Sequence, residues 1–171
     1  VHSDVSVAKL AGALGVERID VLINNAGIYL EDDKAVSEVP AARILETLNT
    51  NAVGPARVTQ SLLPLLRRGT NPRVANITTL MGSIADNASG GSVAYRMSKA
   101  ALNMYTKTLA IDEKGLITLT LHPGWVKTSM GGERAPLSPE ASAEGLLKLI
   151  AEAGAGDSGK FFNYAGRELP W

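Results

Sequence analysis

The sequence predicts an α/β fold in which helices connect four strands of a parallel sheet. Short apolar runs alternate with longer segments whose apolar residues recur at helical spacing, the order expected of right-handed strand–helix–strand units. The strand segments are almost continuously apolar, which is typical of strands covered on both faces. The 171 residues contain no linker and no repeat, so we expect a single domain over residues 1–171.

The first helix is predicted by apolar residues at helical spacing near the start of the chain, namely Val7, Leu10, Ala11 and Leu14. Asp4 is expected to cap this helix and Gly15 to end it. The β-branched run at residues 19–23 predicts the first strand. The chain is therefore expected to enter the sheet directly after its first helix.

Two long helices are predicted next, over residues 40–66 and residues 93–112. Pro40 lies near the first turn of the earlier helix, where proline is tolerated. Pro55 and Pro64 are expected to bend or end that helix, because proline lacks the N–H that a helix interior needs.

The remaining strands are predicted at residues 73–78, 116–121 and 160–164. Ser138 followed by Pro139 predicts the start of a third main helix, which is expected to reach Ala153. The pattern G-x-G-x-x-G begins at Gly154, but it follows a helix and leads into a strand. A dinucleotide-binding loop requires the reverse order, so we expect a helix-to-strand turn with Gly154 in the left-handed conformation.

Composition argues against several classes of function. There are 17 basic and 17 acidic residues and no basic run beyond Arg67-Arg68, which argues against nucleic acid or an acidic membrane surface as a partner. The chain has no cysteine and only two histidines, so we expect neither disulfides nor a metal site. No apolar stretch approaches the length of a membrane span, and we expect a cytoplasmic protein.

Polar or turn-forming residues follow three of the predicted strands, as Asn24-Asn25-Ala26-Gly27, Thr78-Thr79 and Pro123-Gly124. Ligands of parallel sheets bind beyond the carboxyl ends of the strands. We therefore expect these segments to line one elongated crevice.

Tyr95 and Lys99 lie four residues apart on a predicted helix, so both side chains can face one site. A nearby ammonium favours the phenolate and lowers the pKa of a tyrosine, which suits proton transfer. The same spacing also occurs on solvated helices, so the pair does not identify a site by itself.

Four motifs, in order along the chain, resemble the short-chain dehydrogenase/reductase family: Asn24-Asn25-Ala26-Gly27, Asn51-Ala52-Val53-Gly54, Tyr95 with Lys99, and Pro123-Gly124-Trp125-Val126-Lys127-Thr128. Residues 94–103, residues 122–128 and the closing Leu169-Pro170-Trp171 are most similar to sniffer-type carbonyl reductases and C-factor-like proteins. The resemblance implies an NAD(P)-dependent oxidoreductase that reduces a carbonyl or oxidises an alcohol. It also implies the C-terminal part of a Rossmann-like doubly wound sheet, about four of the family's seven strands.

The resemblance implies four catalytic residues. Tyr95 would be the general acid, and Lys99 would bind the nicotinamide ribose and lower the pKa of Tyr95. Asn51 would hold a water molecule in the proton relay. The family's serine falls on Thr79, whose hydroxyl has the same donor and acceptor capacity but whose extra methyl stiffens the side chain; Ser83 is the alternative.

For the cofactor, NADP or NAD, the resemblance implies contacts from Tyr95 and Lys99 together with Asn25, Ala26, Gly27, Pro123, Gly124, Val126 and Thr128. Asn25 has a structural alternative, because the family also uses it to stabilise the central strands. The family's glycine-rich loop would lie before residue 1, in roughly 60 residues that two strand–helix units would occupy. We therefore expect an N-terminally truncated domain that binds the cofactor weakly or not at all.

Without those units the strand at residues 19–23 would be an exposed apolar edge, so the chain is either part of a longer enzyme or covered by association. Helices 41–66 and 93–112 commonly build dimers in this family, which implies a homo-oligomer. A non-catalytic association module is the second hypothesis, and an epimerase or dehydratase is disfavoured by the short chain after Pro123-Gly124. The substrate, a small carbonyl or alcohol, is not identified. Residues 129–137 could be a mobile lid or a plain surface loop.

Overall fold

The computed structural model describes residues 1, 3–30 and 35–171. One parallel sheet contains the four strands in chain order: β1 (Val21–Asn24), β2 (Arg73–Ile77), β3 (Ile117–His122) and β4 (Lys160–Asn163). The helices are α1 (Asp4–Ala8), α2 (Leu10–Leu14), α3 (Ala41–Leu48), α4 (Gly54–Leu66), α5 (Val93–Asp112) and α6 (Pro139–Glu152). The predicted α/β class with a parallel sheet is confirmed.

The predicted first helix is two short helices, and its cap is one residue earlier than expected. The Ser3 side chain accepts the N–H of Ser6 at 3.3 Å, while the Asp4 carboxylate pairs with Arg57. Asp4 therefore lies inside α1, and the expectation that it caps the helix is wrong. Gly15 ends α2 in the left-handed conformation (φ 61°), as predicted.

The long helix predicted over residues 40–66 is divided by a wide π-helical turn at Asn49–Val53. The N–H of Gly54 donates to the carbonyl of Asn49, five residues back. Pro55 has no N–H to donate to the carbonyl of Asn51, which explains why the regular α-helical pattern is interrupted here. Pro64 lies within α4 and does not end it, because α4 continues to Leu66.

Apolar clusters cover both faces of the sheet. Helices α1, α4 and α5 pack on one face through a cluster that includes Leu62, Leu66, Val74 and Leu109. Helix α6 packs on the other face through a cluster that includes Ile150, Leu119 and Phe162. Burial on both faces holds for β2, β3 and β4, as expected for strands inside a parallel sheet, whereas β1 is covered on one face only.

Buried amides and hydroxyls join neighbouring elements near the carboxyl ends of β1 and β2. The amide nitrogen of Asn24 donates to Asn76 Oδ1 at 2.8 Å and to Thr59 Oγ1 at 3.1 Å. The amide nitrogen of Asn76 in turn donates to Thr106 Oγ1 at 2.8 Å. This network ties two strands to α4 and α5 beside the edge where polar loop residues were predicted.

Strand β1 forms the edge of the sheet, as the sequence predicts. Val21 and Ile23 are 45% and 40% exposed, and no strand within the described ranges pairs with the outer side of β1. Val21 and Ile23 alternate with Leu22, which packs against the α4 side, so their exposed side chains lie on the other face of the sheet at this edge. No helix among the described residues is both long and apolar enough to cross a membrane.

The G-x-G-x-x-G segment is a helix-to-strand turn, as predicted, but Gly154 is not left-handed. Its backbone is extended (φ −108°), because its N–H donates to the Asp157 carboxylate at 3.0 Å and so begins a short 3-10 turn. The left-handed residue is Gly159 (φ 74°), where a Cβ would lie 2.9 Å from Ala110 Cβ. The segment serves chain reversal and close helix packing.

Candidate active site

A cleft of about 680 Å³ opens at the carboxyl ends of the strands. The loop after β1 contributes Asn25, Ala26 and Gly27, and the segment after β2 contributes Thr79. Helix α5 contributes Tyr95 and Lys99, and the loop after β3 contributes Pro123, Gly124, Val126 and Thr128. The structure thus brings ten of the eleven predicted site residues to one cleft, and Asn51 lies behind its wall.

Lys99 is buried beneath the cleft, with 4% of its surface exposed. Its Nζ donates to the carbonyl of Ile77, the last residue of β2, at 2.9 Å, and lies 5.8 Å from the centre of the Tyr95 ring. Burial lowers the pKa of the Lys99 ammonium to about 8. The lysine is therefore still mostly charged at neutral pH and loses its charge only slightly above it.

Tyr95 lines the cleft one helical turn before Lys99. Its ring makes an edge-to-face contact with Tyr29 at 4.9 Å, and its hydroxyl lies 3.8 Å from Met130 Sδ. Burial raises the pKa of Tyr95 to about 12, with a further contribution from Tyr29. The net shift is therefore upward, opposite to the lowering that the spacing to Lys99 predicts, because desolvation of the hydroxyl dominates and the Lys99 ammonium is bonded to the Ile77 carbonyl.

The Asn51 side chain joins the loop after β1 to helix α5. Its Oδ1 accepts the N–H of Ile28 at 2.8 Å, and its Nδ2 donates to the Ile28 carbonyl at 2.8 Å and to Ser98 Oγ at 3.0 Å. A Cβ on Gly27 would lie 3.4 Å from both Asn51 Oδ1 and Lys99 Nζ. The Asn51 side chain is thus engaged with protein atoms, and Pro55, four residues on, has no N–H to offer the Asn51 main-chain carbonyl.

Thr79 and Ser83 are in different environments. Thr79 lines the cleft and its Oγ1 accepts the N–H of Met81 at 3.3 Å. Ser83 is buried, its Oγ accepts the N–H of Asp86 at 3.1 Å, and it is not among the cleft residues. The geometry favours Thr79 over Ser83 as the residue that can meet a ligand.

Asn24, and not Asn25, stabilises the central strands. Asn24 is 7% exposed and makes the bonds to Asn76 and Thr59, whereas Asn25 is exposed and lines the cleft. The two adjacent asparagines therefore divide the tasks, because successive residues at a strand end point to opposite sides.

Two cleft residues that contact Tyr95 were not predicted from the sequence. Tyr29 lies two residues after the N-N-A-G motif, and Met130 lies in the loop that was considered as a lid. That loop is tightly folded, since Trp125 Nε1 donates to the Gly131 carbonyl at 2.7 Å. An aromatic residue so close to a strand-end motif is the signal that could have identified Tyr29. The described part of the chain contains no group of three or more His, Cys, Asp or Glu residues that could hold a metal ion.

Comparisons with known proteins agree with this geometry. A family described as short chain dehydrogenase matches residues 3–137. The chain is 48% identical over 155 residues to the C-signal of Myxococcus xanthus, covering 90% of this chain and 93% of that protein. It is 35% identical over 179 residues to 1-hydroxy-2-glutathionyl-2-methyl-3-butene dehydrogenase of Rhodococcus sp., covering 77% of that protein.

Solved structures of reductases share the fold. The carbonyl reductase Sniffer of D. melanogaster superposes with a TM-score of 0.89 at 36% identity, over 98% of this chain and 73% of that one. NADPH-bound carbonyl reductase from chicken fatty liver superposes with a TM-score of 0.92 at 31% identity, over 99% of this chain and 74% of that one. The predicted Rossmann-like fold, family and oxidoreductase class are therefore confirmed. This chain belongs to the short-chain dehydrogenase family.

Proposed function

We propose that this chain carries the catalytic part of an NAD(P)-dependent carbonyl reductase in which Tyr95 is the general acid. The observation that carries the proposal is the shared cleft: Tyr95 lines it, Lys99 lies beneath it, and three strand-end loops surround it. Cleft residues at the carboxyl ends of parallel strands are where this architecture binds ligands. Carbonyl reductases among the similar solved structures support the reaction class.

The cleft fits the nicotinamide end of a dinucleotide. Gly27 has no side chain between the main chain and Lys99 Nζ, and a Cβ there would lie 3.4 Å from that nitrogen, so the ammonium can donate hydrogen bonds to a ribose in the cleft. Gly124 and Thr128, from the loop after β3, also line the cleft. Bound NADPH or NADH would supply the hydride that reduces the carbonyl carbon. The described residues include no glycine-rich loop between a strand and a helix for the pyrophosphate, so we expect weak binding by this chain.

Tyr95 is protonated at neutral pH, because burial raises its pKa to about 12. Its hydroxyl therefore holds a proton that it can donate to the oxygen of a carbonyl. The Lys99 ammonium then stabilises the phenolate that remains, because opposite charges favour each other most strongly where water is excluded.

Asn51 and Thr79 complete the proposed machinery. The Asn51 carbonyl can accept a water molecule because Pro55 supplies no N–H to it, and such a water could return a proton to Tyr95. The Thr79 hydroxyl lines the cleft and can donate to the carbonyl oxygen of the substrate. Both roles agree with those that the family resemblance implies.

The test compares Tyr95→Phe with Tyr105→Phe, a change of a half-buried tyrosine on the same helix outside the cleft. Because the N-terminal loop is needed for strong cofactor binding, both variants are made in a protein in which a glycine-rich cofactor segment precedes Val1. Tyr95→Phe should abolish NADPH-dependent reduction of aromatic aldehydes and ketones while leaving NADPH affinity nearly unchanged. Substantial turnover by the Phe variant would remove Tyr95 from the acid role.

A second candidate function, an association module, is favoured by an exposed stripe on α5. Met97, Met104 and Ile111 are 45%, 68% and 61% exposed, and their spacing of seven residues places them on one face. We propose that this stripe, with helices 41–66 and 93–112, joins two copies of the chain.

The stripe is tested by the mass of the chain in solution at several concentrations. Met104→Glu should shift the chain from dimer toward monomer, because it places a charge in an apolar contact. Leu147→Glu, a change of an exposed apolar residue on α6, should leave the dimer intact, because Leu147 lies outside the stripe. A wild-type chain that stays monomeric at high concentration would contradict the association.

A further inference from the structure

Tyr29 contacts both Tyr95, the proposed general acid, and Ser92, which lies in the turn before α5 outside the four sequence motifs. Its ring lies edge-to-face against the ring of Tyr95, with centres 4.9 Å apart and planes at 68°. Its hydroxyl lies 2.9 Å from Ser92 Oγ, across 63 residues of chain. Tyr29 is therefore held at both ends, by its ring and by its hydroxyl.

Ser92 occupies the N-cap position of α5 without acting as a cap. Serine at that position ordinarily accepts an N–H from the first helical turn, but the Ser92 side chain makes no such bond. Its backbone is left-handed (φ 47°, ψ 43°), a conformation that is uncommon for residues other than glycine. The buried Ser92 hydroxyl instead makes a hydrogen bond with the Tyr29 hydroxyl. A long-range contact therefore replaces the capping bond that serine usually makes at this position.

The turn that contains Ser92 is held by the side chain of Arg96, which lies in the first turn of α5. The Arg96 guanidinium donates to the carbonyls of Gly90 and Gly91 at 3.2 and 3.1 Å. It also donates to Ser89 Oγ at 2.9 Å and to the Met81 carbonyl at 3.2 Å. Four bonds from one side chain hold three consecutive left-handed residues in place, which is how an unfavourable backbone conformation persists.

We infer that Tyr29 is a positioning residue, which the Ser92 hydroxyl holds against Tyr95 so that the Tyr95 hydroxyl stays directed into the cleft. Tyr95 is the third residue of α5, where backbone contacts constrain a side chain less than in mid-helix. The Tyr29 ring opposes a change of the Tyr95 χ1 angle, which would swing the hydroxyl out of the cleft, while Lys99 Nζ lies 5.8 Å from the ring centre. The inference rests on the proposed function of Tyr95.

The kinetic test is a double-mutant cycle of Tyr29→Phe and Ser92→Ala in the protein that carries the cofactor segment. Each single change should lower kcat about tenfold, because small displacements of a reacting group are costly. KM should change by less than about twofold, since ground-state binding is not altered. The double variant should be no slower than either single variant, because each substitution removes the same hydrogen bond between Tyr29 and Ser92.

Several outcomes would overturn the inference. If the fold-losses in kcat of the two single variants multiply in the double variant, the two hydroxyls act separately. A change confined to KM would show that Tyr29 only contacts the substrate. Unchanged kcat in Tyr29→Phe would show that the hydroxyl is dispensable. If Ser92→Ala does not fold, Ser92→Gly replaces it, because glycine adopts the same backbone angles and lacks the hydroxyl.

A second readout separates this inference from the proposed function. In the chain labelled with ¹³C and ¹⁵N at tyrosine, the χ1 rotamer populations of Tyr95 are measured by NMR from three-bond couplings, with Tyr95→Phe used for assignment. Tyr29→Phe and Ser92→Ala should both lower the population of the rotamer that faces the cleft, whereas Tyr105→Phe should leave it unchanged. Unchanged populations in both variants would overturn the positioning role. Activity retained in Tyr95→Phe, with lowered populations in the other variants, would remove the catalytic proposal alone.

Discussion

Lys99 Nζ donates a hydrogen bond to the carbonyl of Ile77, so the lysine beneath the cleft is anchored to the last residue of strand β2. The same side chain is almost fully buried. One charged group is thus held by a main-chain carbonyl at the strand end, 5.8 Å from the ring centre of the tyrosine that it is proposed to assist. The hydrogen bond fixes the position of the Lys99 ammonium. Burial of this charged group has a cost in folding free energy, which can be measured by unfolding.

Lys99→Met should stabilise the chain near neutral pH and lose that advantage in alkali. The pKa of Lys99 is about 8 when folded against 10.5 as the ordinary value, so the unfolded chain binds more protons between these values and wild-type stability rises with pH there. The advantage of the variant should be up to about 3 kcal/mol below pH 8. It should shrink as the pH rises from about 8 to 10.5.

The measurement is urea unfolding of both proteins at a series of pH values. Lys107→Met is the control, because Lys107 lies on the same helix and also donates to a carbonyl, that of Gly159, but is exposed. A Lys99→Met advantage that stays constant with pH would contradict the burial of a charged lysine.

Thr79→Ser should preserve or raise reductase activity in a protein in which a glycine-rich cofactor segment precedes Val1, and Thr79→Val should lower it. Only the hydroxyl is proposed to meet the substrate oxygen, and Val has the shape of Thr without it. We expect Thr79→Val to lower kcat/KM by about tenfold or more. Ser83→Ala serves as the matched control, because that hydroxyl is buried and bonded to the N–H of Asp86. If Val matched Thr while Ser83→Ala was inactive, the role would move to Ser83.

Asn24→Ala should destabilise the chain, whereas Asn25→Ala should leave its stability nearly unchanged. Removing the Asn24 amide leaves the buried oxygens of Asn76 and Thr59 without its two hydrogen bonds. The free energy of unfolding should fall by about 1–3 kcal/mol. Asn25 is exposed in the cleft, so its loss should affect cofactor or substrate contacts instead. Equal stability losses, measured by thermal unfolding, would contradict this division of roles.

The chain of 171 residues should bind NADPH and NADH weakly or not at all. The described residues can contact the nicotinamide end, but contribute no glycine-rich strand-to-helix loop for the pyrophosphate, and each 1.4 kcal/mol of lost contact is about tenfold in affinity. Titration calorimetry of this chain, beside the form with a preceding cofactor segment, measures the difference. Micromolar affinity in a monodisperse monomer would contradict the expectation and require a replacement loop within these residues.

Much of the fold was predictable because its determinants are local. Apolar runs and helical spacing placed all four strands and the main helices, and helix α5 was predicted with the observed bounds, Val93–Asp112. The π-helical turn at Asn49–Val53 was predicted only as a bend, because its geometry depends on which carbonyls lose their donors to Pro55. Ser3 rather than Asp4 caps α1, while the Asp4 carboxylate pairs with Arg57 of a distant helix.

The sequence by itself determined which residues reach the cleft, since strand ends and helical spacing place Gly27, Thr79, Tyr95 and Lys99 without knowledge of the packing. Only the tertiary structure decided what those residues experience. Burial raises the pKa of Tyr95, although the spacing to Lys99 alone predicted the opposite. Tyr29 meets Ser92 across 63 residues, a contact that no local pattern reports. Desolvation and long-range contacts depend on the whole packed chain, whereas spacing depends only on neighbours in sequence.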